Sequence, residues 1–279
     1  MKTRIIVDST CDLTPEIKKQ VHVVPLTVHF GDEEYIDGIT IDHKQFYEKL
    51  IETDVHPSTS QATPAAFEEE YKKAKAAGES AVVITLSSKL SGTYQSAVIA
   101  TEDYEEIYVV DSGSVTLGAS ILVELALSLV HQGLEAKQIA AQLEEEKKKI
   151  VLVALVDTLE YIKKGGRVSK TVAAFGTVLN IKPVLSVVDG EIQILGKARG
   201  SKMGNNLLIQ EINKVGGVDF SKPFLLGYTG LSDALLLKYV EDSEHLWEDG
   251  SSDIRYTTVG SIIGTHAGPG AIAVAFFKK

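Results

Sequence analysis

Apolar runs of strand length alternate with helical patterns through most of this chain. The strand-like runs cover 4–8, 23–30, 81–86, 107–111, 151–155, 183–188, 191–195, 224–228, 253–258 and 271–277. The helical patterns cover 43–52, 64–77, 93–101, 116–132, 136–149 and 201–215. Such alternation predicts an α/β fold with mostly parallel sheets, because parallel neighbours need a crossover connection long enough to hold a helix. Local signals agree. Thr63 before Pro64 suits an N-cap with proline at the first helical position, and Gly78 suits the end of that helix. Val187-Val188-Asp189-Gly190-Glu191-Ile192 reads as a hairpin turning at Asp-Gly.

At 279 residues the chain is long enough for two modest lobes or one large domain. The run Glu144-Glu145-Glu146-Lys147-Lys148-Lys149 ends a helical pattern, and a new strand-helix pattern follows it. A division into an N-terminal α/β lobe, 1–150, and a C-terminal α/β lobe, 151–279, is therefore expected, with interleaving of segments left open. The charge run itself is read as a solvated helix face. A net charge of −10 and a pI of about 5.2 argue against a nucleic-acid partner, which demands a basic face. The single cysteine, Cys11, excludes an internal disulfide and offers no zinc cluster, which is compatible with a reducing cytosol. The chain runs from Met1 straight into a strand with no visible secretory signal, so a cytoplasmic location is expected. The longest apolar stretch, 121–130, is interrupted by Glu124 and is too short to span a bilayer.

Three small-residue turns, far apart in sequence, present hydroxyl, amide or imidazole donors: Ser58-Thr59-Ser60-Gln61, residues 87–96, and Gly264-Thr265-His266-Ala267-Gly268-Pro269-Gly270. Exposed backbone N–H groups and hydroxyls together make a seat for a carboxylate or phosphate. None of these residues looks like an activated nucleophile. The chain reads as an anion-holding binding protein rather than a self-sufficient enzyme.

Several motifs, in order from Asp8 to Gly270, resemble those of the DegV family of bacterial fatty-acid-binding proteins. They are Asp8-Ser9-Thr10-Cys11-Asp12-Leu13, Thr59-Ser60-Gln61, Leu90-Ser91-Gly92-Thr93-Tyr94-Gln95-Ser96-Ala97, Val110-Asp111-Ser112, Lys163-Lys164-Gly165-Gly166-Arg167-Val168-Ser169, Lys182-Pro183, Arg199-Gly200 and the Gly264–Gly270 glycine motif. One departure is Ala62, where many relatives place proline. The resemblance implies two α/β lobes with a lipid between them, its carboxylate in the seam and its tail in the second lobe. It implies contacts from Thr59 and Ser91 to the carboxylate, and a separate fatty acid kinase that phosphorylates the bound acid.

The residue chemistry is compatible with that role. A carboxylate entering a cleft loses water and must find donors, or it costs several kcal/mol. Thr59 and Ser91 can each donate one short O–H bond, although both residue types also serve as helix caps and turn formers. Gly92 allows close backbone approach to a ligand. His266 stands among glycines and could hold the head group or lock the hydroxyls, or simply shape a turn. Arg167 would strengthen an anion seat and orient His266 or Ser91, or else sit solvated beyond a helix C-cap. Arg199 or the Lys163-Lys164 pair could meet the kinase.

The tail, a palmitate or C18 chain, needs an apolar tunnel, for which Val172, Ala173, Phe175, Val178, Leu179, Ile181 and Ile263 are candidates. The remaining histidines show no metal-ligand spacing, and no metal or other cofactor is expected. Membrane contact is expected to be transient at most. The rival reading is an enzyme acting on a small phosphorylated metabolite, a phosphotransferase or phosphatase. Its magnesium could sit at Asp32-Glu33-Glu34 or at Asp8 with Asp12 and Asp111. Against it, no Gly-x-Ser-x-Gly elbow, P-loop or full dinucleotide fingerprint occurs.

Overall fold

The computed structural model describes residues 2–167, 181–248 and 254–279. In chain order the first elements are β1 (Thr3–Asp8), α1 (Pro15–Lys18), β2 (His22–Val24), β3 (Thr27–Phe30), β4 (Glu33–Ile36), α2 (His43–Glu52) and β5 (Ser58–Ser60). Next come α3 (Pro64–Ala76), β6 (Ser80–Thr85), α4 (Thr93–Ile99), β7 (Ile107–Asp111), α5 (Thr116–His131) and α6 (Ala136–Glu146). The rest are β8 (Ile150–Leu155), α7 (Glu160–Lys164), β9 (Ile181–Val188), β10 (Glu191–Arg199), α8 (Gly200–Lys214), β11 (Leu225–Tyr228), α9 (Ala234–Asp242), β12 (Tyr256–Thr258), α10 (Ser261–Ala267) and β13 (Ile272–Phe277).

The α/β class stands. β2, β1, β6 and β7 form a fully parallel sheet in that order, joined by helical crossovers. The six-stranded sheet, ordered β10-β9-β8-β13-β11-β12, departs from the parallel expectation: four of its five pairings are antiparallel. A two-residue turn can only reverse the chain, so β9 and β10 oppose one another. Asp189 and Gly190 form that turn, with φ of 51° and 81°, the backbone a tight hairpin demands. The last strand, β13, returns between β8 and β11 in the opposite sense, so both of its ladders are antiparallel.

The apolar run 23–30 breaks in two. Pro25 has no N–H for a ladder, and after it the chain leaves the parallel sheet to pair, as β3, with β4 and β5. The Ser58–Ser60 turn is corrected to a strand, with Thr59 opposite Val28. The Gly264–Gly270 turn is corrected to a helix end: α10 runs to Ala267, and Gly268, at φ 70°, terminates it. Helix propensity disfavours such a glycine-rich segment. It is helical nonetheless, and Gly264 lies against the Tyr47 hydroxyl and the Phe46 ring, where a Cβ would not fit.

Helix α5 is apolar on nearly all sides because both large sheets pack on it. Its one acid, Glu124, is held by Arg255 at 2.9 Å, and burial raises its carboxyl above the usual range. Among the described residues no helix is long and apolar enough to cross a membrane.

Candidate functional site

In an open parallel sheet, ligands bind beyond the carboxyl ends of the strands, where neighbouring loops diverge. Here the divergence falls between β1 and β6, since β1 feeds toward β2 on one side and β6 leads to β7 on the other. Asp8, at the end of β1, braces the crevice. Its carboxylate accepts from the Thr10 N–H (2.9 Å) and hydroxyl (2.6 Å) and from the Leu86 N–H (2.7 Å). These bonds give Asp8 a structural task. Asp111 likewise accepts from Gly113 N–H at 2.8 Å. Among the described residues, no group of three or more His, Cys, Asp or Glu is arranged to hold a metal ion.

A cavity of about 410 Å³ opens beside β6 and reaches across to the six-stranded sheet. Thr59, Ser91, Gly92, Arg167 and His266 all line it, and at that end Ser60 and Gln61 join them. The rest of the wall is mainly aliphatic: Leu86, Leu90 and Val115 from one side, Leu152, Leu185 and Ile272 from the other. The tail candidates therefore need correcting in part. Ile263 lines the cavity, Ile181 does not, and Val172, Ala173, Phe175, Val178 and Leu179 lie outside the described residues. Apolar lining also comes from the first half of the chain, because the loop after β6 carries Leu86 and Leu90 into the cavity wall and the residue before α5, Val115, joins them.

Thr59 and His266 meet at the polar end, with Oγ1 and Nε2 3.1 Å apart. Strand pairing of β5 with β3 fixes Thr59, and the last turn of α10 fixes His266. Burial, then the nearby charges of Arg167 and His56, lower the His266 imidazole to about 4, so the ring is neutral near pH 7. Its Nδ1 is buried with no hydrogen-bond partner among the described residues. Gly165 lies directly against that ring, and a Cβ there would overlap Nδ1. Tyr161 covers Gly268 in the same way, which explains one glycine in each of two motifs.

Arg167 is exposed, yet it is not merely solvated. Nε donates to Leu90 O (3.3 Å) and Nη1 to Gly165 O (2.8 Å), tying the loop before α4 to the turn after α7. Its charge faces His266 without a hydrogen bond to it.

Ser91 Oγ lies 2.9 Å from Thr93 Oγ1 and accepts from Thr93 N–H at 3.2 Å. Gly92 is small for a further reason. The Gln61 amide lies against its Cα, and Gln61 Nε2 donates to Ser96 Oγ at 2.9 Å. Gln61 thus carries the hydroxyl loop against β5, a role that sequence alone did not separate from its neighbours in the Thr-Ser-Gln motif.

One further residue went unrecognised in the sequence, and another, Asp12, figures there only as a motif residue and a possible magnesium ligand. Thr116, at the start of α5, lines the cavity with φ 45°, a left-handed backbone that a β-branched residue adopts only under strain. Nothing in the local sequence around Thr116 signals this. The Asp12 carboxylate crosses to the other half of the chain, accepting from Gly260 N–H at 2.7 Å. Burial raises Asp12 to about 8. Cys11 beside it is buried, and its thiol is pushed well above the ordinary range, so it is packed rather than reactive.

The docking candidates stand apart from the cavity wall. Lys164 pairs with Glu160 at 2.7 Å, and Arg199 is exposed at the end of β10. Lys163 lies one residue earlier on α7, half-buried.

The family model for uncharacterised proteins of the DegV family matches residues 2–279. A DegV domain-containing protein of Clostridium perfringens is 32% identical over 282 residues, covering 100% of this chain and 99% of the relative. A solved structure of fatty acid binding by a DegV family protein of Thermus thermophilus has a TM-score of 0.89 at 29% identity, covering 99% of this chain and 100% of that one. A stearic-acid-binding protein of Eubacterium ventriosum has a TM-score of 0.86 at 26% identity, covering 99% and 98%.

Proposed function

The chain belongs to the DegV family, and from that premise we propose that it binds one long-chain fatty acid and presents it to a separate fatty acid kinase. One observation carries the reading: Thr59, Ser91 and His266 line a cavity whose remaining wall is largely aliphatic, and Thr59 meets His266 there. A carboxylate belongs at the hydroxyl end and a hydrocarbon tail along the aliphatic wall. Each buried methylene contributes about 0.8 kcal/mol, so a chain of about 16 carbons supplies on the order of 10 kcal/mol before the costs of association. The tail supplies affinity, and the hydroxyls set orientation. A neutral His266 adds no charge of its own, so attraction to the anion falls to Arg167 and the O–H donors.

On this reading residues 1–150 form one lobe and 151–279 the other, with the ligand in the seam. The chain is a carrier without catalytic residues, working in the cytoplasm. Arg199, Lys163 and Lys164 would face the kinase.

The decisive experiment is lipid extraction and native mass spectrometry of the purified protein beside the Ser91→Ala/Thr59→Ala double variant. The wild type is expected to carry a long-chain acid and the folded double variant to have lost it. Retention of lipid by the double variant would remove the head-group assignment. Acyl phosphate should form from ATP only when kinase and carrier are both present. Magnesium-dependent turnover of a phosphorylated metabolite by this chain alone would favour an enzyme instead.

A further inference from the structure

Four side chains from the first quarter of the chain converge on the short segment that begins α10. Asp12 accepts from Gly260 N–H, Asp37 Oδ1 accepts from the Ser261 hydroxyl at 2.6 Å, and the Tyr47 hydroxyl donates to Val259 O at 3.2 Å. The fourth is His43, at the first position of α2. Its Nδ1 lies 3.0 Å from Val259 O and its Nε2 lies 2.9 Å from Gly230 O. Both partners are backbone carbonyls, which only accept. Both bonds therefore exist together only when both ring nitrogens carry hydrogen, the imidazolium form. A neutral ring would keep one bond and turn a lone pair toward the other carbonyl oxygen.

The two carbonyls belong to different loops, one after β11 and one after β12. The second leads directly into α10, which carries Ile262, Ile263 and His266 to the cavity. We propose that His43 is a positioning residue of the ligand seat: as an imidazolium it ties these two loops together and so sets the pose of α10 and His266. The inference rests on the fatty-acid reading of the cavity.

Several titratable groups lie near the ring. His43 borders a second, smaller cavity with Asp8, Asp12 and Asp37, and with Lys18 and Cys11. Tyr47 and Tyr228 face it edge-on, with ring centroids 4.8 Å and 5.9 Å away. Burial raises Asp8 to about 6 and Asp12 to about 8, and it raises Asp37 as well. These carboxyls titrate within the range of the test, so a pH profile of the wild type alone does not isolate His43.

The test compares wild type with His43→Gln, which retains every one of those carboxyls. The dissociation constant of a fluorescent long-chain fatty acid is measured between about pH 6 and about pH 9. His43→Gln is expected to bind roughly tenfold more weakly at the acid end, and wild type to converge on it as the pH rises. Parallel profiles would overturn the proposal. His43→Lys, which keeps a charge and several donors, is the second variant, expected to bind with a profile flatter than wild type; a profile as steep as wild type counts against the role of the imidazole. Independently of any lipid, two-bond ¹⁵N–¹H spectra of ¹⁵N-histidine-labelled full chain should show both His43 nitrogens protonated near pH 6, and one bare nitrogen there would also overturn it. Failure of wild type to bind the fatty acid at any pH would instead remove the reading of the cavity itself, which the nitrogen spectra do not address.

Discussion

Thr59 Oγ1 and His266 Nε2 lie 3.1 Å apart although 207 residues separate them in sequence. A neutral imidazole has one N–H. If Nε2 carries it, His266 donates to Thr59 and leaves the threonine hydroxyl free to donate onward to a carboxylate. If Nδ1 carries it, Thr59 must donate to the ring, and the seat loses that donor. Thr59→Val keeps the shape and removes the hydroxyl. It is expected to weaken fatty-acid binding by roughly tenfold with little change in thermal stability, measured by fluorescent-acid titration and calorimetry.

The lowered His266 imidazole has a stability consequence of definite sign. Its folded value of about 4 lies below the ordinary 6.5, so between these values the unfolded chain holds the extra proton. Stability rises as pH increases through that window and is lost as pH falls through it. His266→Asn should flatten this slope, retaining on the order of 2 kcal/mol more stability near pH 4 relative to pH 7 than wild type does, as read by urea unfolding at a series of pH values.

Asp12 works in the opposite sense. Its folded value of about 8 stands above the ordinary 3.8, so the folded chain holds the proton in between, and stability falls as pH rises from about 4 to 8. Asp12→Asn keeps an oxygen to accept from Gly260 N–H and removes the titration. The variant should gain on the order of 1–3 kcal/mol over wild type above pH 8, and the gain should vanish near pH 4. An equal effect at both ends of the range would show that Asp12 acts by packing instead.

Gly165 separates steric from backbone effects. Its φ is −70°, ordinary for any residue, yet a Cβ would overlap the His266 ring. Gly165→Ala is therefore expected to displace the imidazole, cost about 1–3 kcal/mol in stability and weaken lipid binding at least as much as Thr59→Val. Unchanged binding would mean that the ring's position is not needed.

Bulk placed on the aliphatic wall should shorten the preferred acid. Ala273 lines the cavity from β13 and is nearly fully buried. Ala273→Leu is expected to keep the fold while shifting the lipid extracted from purified protein toward shorter chains, read by mass spectrometry.

Much of the fold was legible because its causes are local. Thr63 caps α3 as expected, accepting from Ala66 N–H at 3.2 Å, and Asp189-Gly190 turns the hairpin it promised. The parallel sheet followed from alternating apolar runs and helices. Two of the misreadings share one cause: propensity was overridden by what lay across the fold. Ser58–Ser60 looks like a turn in isolation but pairs with β3, and residues 261–267 form a helix with Phe46 and Tyr47 flush against Gly264.

At the cavity, the sequence by itself determined which donor-bearing residues were available, because hydroxyl, imidazole and glycine types within motifs state their chemistry without coordinates. Only the tertiary structure decided their partners. Arg167 bonds carbonyls rather than His266, Gln61 fills the space at Gly92, and Asp12 and His43 reach across to the start of α10. Hydrogen bonds act over about 3 Å, and burial decides which protons are held. Both depend on distances between segments as much as 248 residues apart, which no local pattern encodes.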